Sequence, residues 1–101
     1  MSTAPKDEAE ILARTLVESK KCACVNVVKG VTSFYHWKGA IQEDSESILI
    51  MKTEFKHKES LLEVLKKHHS YEIPEFVTLP IEWGSTDYLD WITASTKSDK
   101  A

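Results

Sequence analysis

The 101-residue sequence has only three glycines, three prolines and two cysteines, and each scarcity excludes a class of protein. The three glycines are not clustered, so the chain has no glycine-rich loop of the kind that cradles nucleotide phosphates. Cys22 and Cys24 lie two residues apart, a spacing that makes a poor disulfide and only a weak metal motif. We therefore expect reduced thiols in a cytoplasmic protein.

Long apolar runs and clusters of one charge are also missing. No apolar run approaches the roughly 20 residues of a membrane helix, and residues 1–10 lack the apolar segment of a signal peptide. The net charge of −3 is spread over both signs, without a basic patch for nucleic acid. We therefore expect neither a membrane nor a nucleic acid as partner. No nucleophile and base stand at a recognisable spacing, so we do not expect an enzyme.

Three segments carry helical patterns within what the length predicts to be a single domain, residues 1–101. Apolar residues recur every three or four positions in residues 6–21, and leucines do the same in residues 56–70. Ser85 or Thr86 can cap a short helix in residues 85–96. Residues 97–101 are a polar tail.

The remaining segments predict strands. Residues 22–37 are rich in β-branched and aromatic side chains, with Gly30 as a bulge or bend. Residues 46–54 predict a second strand, joined to the first by a polar turn over residues 38–47, so that the two form a long antiparallel hairpin. Residues 76–83 predict a strand that Pro80 restricts to a sheet edge or a bulge.

The order of these elements is that of an α+β, ferredoxin-like sandwich, β-α-β-β-α-β, with its first strand truncated. Only Ser2, Thr3 and Ala4 precede the first helix. This topology places the first strand between the third and the fourth. We therefore expect a stub of strand at residues 2–4 beside a partly empty slot.

Short motifs along the chain identify a family. They are Thr3-Ala4-Pro5, Cys24-Val25-Asn26, Tyr35-x-Trp37-x-Gly39, Met51-Lys52-Thr53, His69-x-Tyr71-Glu72-x-Pro74-Glu75, Leu79-Pro80-Ile81 and Asp87-Tyr88-Leu89-x-Trp91. With these motifs the chain resembles the CutA family, the divalent-cation tolerance proteins, over about residues 3–96. The resemblance implies a homotrimer that binds copper(II) or another divalent metal ion, with no catalytic reaction attached. The chain departs from the family in its short start and in Ser70, where proline is usual.

His68 and His69 are the candidate metal ligands. Imidazole nitrogen suits copper, zinc and nickel, but two nitrogens are an incomplete set. Neighbouring residues on a helix diverge by about 100°, so the pair can hold one ion only if the helix ends there. The resemblance implies the same pair for copper in enterobacterial members, with a cysteine from the first strand that this chain lacks. The alternative is that both rings continue the leucine stripe of residues 56–70 as packing residues.

A second candidate site is a cleft between subunits. The strand over residues 22–37 is too long and too apolar for one small sheet, which independently favours an oligomer. The resemblance implies clefts lined by Trp37, Lys52, Tyr71, Glu75 and Tyr88, a mixture of aromatic walls and a few charges that is typical of ligand pockets. The same aromatic residues could instead be interface packing. Two functions therefore stay open: a metal-binding trimer, and a small-ligand or partner-binding trimer of PII-like shape.

Overall fold

The computed structural model describes residues 1–97 as a three-stranded antiparallel sheet with three helices. The elements are β1 (Ser2–Pro5), α1 (Ala9–Glu18), β2 (Cys24–Trp37), β3 (Ala40–Lys52), α2 (Lys58–His68) and α3 (Thr86–Ser95), with one 3-10 turn at Phe55–His57 before α2. The strand order in the sheet is β1-β3-β2. Residues 98–101 of the predicted tail lie outside the described residues. Among residues 1–97, the helices are too short and too polar to cross a membrane.

The hairpin of β2 and β3 is the longest feature of the fold. Lys38 and Gly39 form its turn, with φ angles of 51° and 79°. Positive φ at both central residues is the geometry of the tight turns that match the twist of paired strands. The register shifts between Val28 and Val31, where Gly30 has a φ of 77°. The bulge that the sequence predicted at Gly30 is therefore confirmed.

The polar turn predicted over residues 38–47 is wrong, because β3 already begins at Ala40. Only Lys38 and Gly39 turn, and residues 40–46 pair with the second half of β2. Apart from Glu46, which is buried, this half of the hairpin extends beyond the helices and most of its side chains are exposed. A strand without a buried face has no apolar alternation for the sequence to reveal.

The core lies between the helices and one face of the sheet. Leu16 of α1, Leu49 of β3 and Leu65 of α2 are completely buried. The apolar stripes predicted for residues 6–21 and 56–70 supply most of it, although α1 is shorter than predicted. Pro5–Glu8 form a turn ahead of α1, with the Glu8 amide 3.0 Å from the Pro5 carbonyl. Ser85 caps α3 as predicted, its hydroxyl accepting the Tyr88 amide hydrogen at 3.3 Å.

The first strand, β1, has only four residues and lies where the sequence predicted a short strand. Ser2–Pro5 pair with residues 46–49 of β3 on one side. On the other side Met1 exchanges two backbone hydrogen bonds with Val77, of 2.8 and 3.1 Å. The strand predicted over residues 76–83 is wrong for the single chain: among residues 1–97 only Met1 pairs with it, and Pro80 has no N–H to donate.

The two faces of the sheet differ in whether helices pack on them. Side chains alternate between the faces along a strand. Ser47 and Leu49 of β3 point toward the helices and are buried. Glu46, Ile48 and Ile50 therefore point to the opposite face, which carries no helix. We call this the open face of the described residues, and a polar pocket around Glu46 lies on it.

Candidate functional site

His68 is the last residue of α2 and its ring lies at the surface. Its Nδ1 is 2.9 Å from the carbonyl oxygen of Val64, one turn earlier. Because a carbonyl only accepts hydrogen bonds, Nδ1 donates and Nε2 keeps its lone pair. A histidine whose other ring nitrogen donates to a backbone carbonyl is the usual arrangement of a metal-binding imidazole.

His69 has a different environment, because the helix ends between the two histidines. The backbone of His69 is extended, with φ −85° and ψ 140°, and its side chain is fully buried. Its Nε2 donates to the Thr3 carbonyl at 2.8 Å, and its Nδ1 accepts the Tyr71 amide hydrogen at 3.0 Å. The ring also packs on that of Tyr71, with centroids 4.7 Å apart. Both nitrogens of His69 are therefore engaged in joining β1 to the loop after α2.

Glu8 completes this junction. Its Oε1 accepts hydrogen bonds from the amide and the hydroxyl of Ser70, at 3.2 and 3.0 Å. The same oxygen lies 3.7 Å from Nδ1 of His69. The start of α1 is thus held to the loop through Ser70. Within residues 1–97, no three His, Cys, Asp or Glu side chains are grouped closely enough to hold a metal ion.

A polar pocket of about 390 Å³ lies on the open face, where the hairpin leaves the body of the domain. Glu46 lines this pocket and is only 4% exposed. The Tyr71 hydroxyl donates to Oε2 of Glu46 at 2.7 Å, and the Tyr35 hydroxyl donates to Asp44 on the same strand. Burial, followed by the hydrogen bond to the Glu46 carboxylate, raises the pKa of Tyr71. Glu75 also lines the pocket.

A larger, mostly apolar groove of about 840 Å³ lies beyond Met1. Its walls are the end of β3 from Ile50 to Thr53, the start of α2, and residues 76–81. Residues 50–52 of β3 have no strand partner on the β1 side, because β1 reaches only as far as Leu49. The groove is therefore the slot that a longer first strand would occupy.

The five predicted cleft residues are divided within one chain. Tyr71 and Glu75 share the polar pocket, whereas Lys52 and Tyr88 line the apolar groove. Trp37 lies at the hairpin turn and lines neither. One subunit brings two pairs together but does not form a cleft from all five.

Glu46 and Asp44 were not among the predicted site residues, because the polar segment EDSES predicted a turn. The signal that could have found Glu46 is its alternation with Ile48 and Ile50, which places all three on one face of a strand. A glutamate continuing an apolar strand face is unusual enough to mark a site.

The two cysteines are reduced thiols, and neither adds a ligand to the histidines. Cys22 belongs to the core, where burial raises the pKa of its thiol to about 11. Cys24 is half-buried on the open face at the start of β2. A buried neutral thiol is a packing group rather than a nucleophile.

This chain is similar in sequence and in structure to known proteins of one family. A family model for the CutA1 divalent ion tolerance protein matches residues 1–95. The divalent-cation tolerance protein CutA of Escherichia coli is 41% identical over 98 residues, which are 96% of this chain and 88% of that protein. The crystal structure of CutA1 from Oryza sativa superposes with a TM-score of 0.91 at 40% identity, covering 95% of this chain and 89% of the rice chain. The PII-like protein CutA from a Nostoc species superposes with a TM-score of 0.89 at 34% identity, covering 95% and 93%.

The fold therefore shows the class of protein. It is an α+β protein with the ferredoxin-like arrangement, and its structural relative from Nostoc is described as PII-like. The chain belongs to the CutA family of divalent ion tolerance proteins.

Proposed function

We propose that the chain is a homotrimeric metal-binding protein that takes copper(II) or another divalent ion in a cytoplasmic response to metals. The observation that supports this most directly is the free Nε2 of His68, oriented by the 2.9 Å hydrogen bond from Nδ1 to Val64. A binding role rather than a catalytic one also agrees with the names of the relatives.

His68 is the first ligand in this proposal. His69 can join it only by giving up the hydrogen bond from the Tyr71 amide, because Nδ1 is the one ring nitrogen of His69 without a proton. Because each chain supplies one imidazole, we expect a weak to moderate affinity for the metal ion. Water, carboxylates or other subunits would supply the remaining ligands. The affinity should be lower than in relatives that add a thiolate.

The open face supports the trimer. Its apolar residues include Val28 and Ile50, which are 43% and 38% exposed, next to Val31 and Ile48. A sheet face of this kind normally packs against another layer. A second and a third copy of the chain would supply that layer and could bring Trp37 or Lys52 of one subunit to the polar pocket of another. Light scattering should give three times the chain mass of 11.5 kDa, and a mass of one chain would refute the trimer.

The metal proposal is tested by titrating copper(II) into the protein in a calorimeter. We expect His68→Ala to weaken binding at least about tenfold, equivalent to about 1.4 kcal/mol. His36→Ala is the matched control, because His36 is an exposed histidine at the far end of the hairpin. Equal affinities of wild type and His68→Ala would contradict the proposal.

A second candidate function is binding of a small ligand in a cleft between subunits. The observation that favours it is the polar pocket, where Tyr71 and Glu75 already lie together in one chain. The description of the Nostoc relative as PII-like points in the same direction. Titration with nucleotides separates the two candidates, because His68→Ala should leave a cleft ligand bound.

A further inference from the structure

We draw no further inference here: the strongest candidate, the apolar groove between the end of β3, the start of α2 and residues 76–81, is the slot of a longer first strand already described, and nothing in the structure shows what covers it.

Discussion

Replacing His69 by alanine should destabilise the protein strongly, whereas the same change at His68 should not. The buried His69 ring makes one hydrogen bond to the Thr3 carbonyl and one to the Tyr71 amide, at 2.8 and 3.0 Å. Alanine leaves both backbone groups without their partner. A buried polar group that loses its partner costs about 1–3 kcal/mol, and the cavity adds to this. We therefore expect a loss of about 3–5 kcal/mol in the free energy of unfolding, a large part of the about 5–15 kcal/mol of a typical domain.

The measurement is urea unfolding followed by tryptophan fluorescence, with EDTA present and at one protein concentration, since an oligomer is stabilised by mass action. His68→Ala is the matched control, because His68 is exposed at the end of the same helix. We expect it to lie within about 0.5 kcal/mol of the wild type.

His69→Phe separates the hydrogen bonds from the cavity. Phenylalanine fills the space of the ring but leaves the Thr3 carbonyl and the Tyr71 amide unpaired. It should therefore remain clearly less stable than the wild type. Near-wild-type stability of His69→Phe, or a loss below about 1 kcal/mol in His69→Ala, would refute a structural role for the two hydrogen bonds. His69 would then be free to act mainly as a metal ligand.

Three further predictions follow from the core, the groove and the buried titrating groups. Leu16→Ala should cost about 2–5 kcal/mol, because Leu16 is fully buried, while Ile11→Ala on the same helix should cost little, because Ile11 is 71% exposed; similar losses would contradict the placement of α1. Adding about six β-forming residues before Met1 should raise the urea midpoint by filling the apolar groove, and an unchanged midpoint would show that the groove is already occupied. Stability should fall as the pH rises from 9 toward 11, because the thiol of Cys22 ionises near 9 in the unfolded chain but has a pKa of about 11 when folded. The folded state then binds more protons than the unfolded state, and the raised pKa of Tyr71 extends the loss to higher pH. Cys22→Ser should reduce this slope in urea unfolding at stepped pH, and a slope equal to that of the wild type would contradict the assignment.

The sequence by itself determined the elements that bury a periodic face. The leucines of α1 and α2 repeat at helical spacing, and the apolar residues of β2 with Gly30 predicted a bulged strand, so these elements and the ferredoxin-like order could be read directly. The motifs gave the family. These features are local, because they depend on which side chains a short segment must remove from water.

The tertiary structure alone decided the features that depend on contacts between residues far apart in the sequence. Residues 40–46 form a strand because β2 lies beside them, although their own side chains are polar. Residues 76–83 do not form a strand, because within the described part of the chain only Met1 pairs with them. Two neighbouring histidines differ because the helix ends between them and Thr3 meets only the second ring. Glu46 lines the polar pocket together with Tyr71, which is 25 residues away and donates its hydroxyl hydrogen to Oε2 of Glu46. Each outcome depends on a partner that folding brings close, and such a partner leaves no mark in the local pattern of residues.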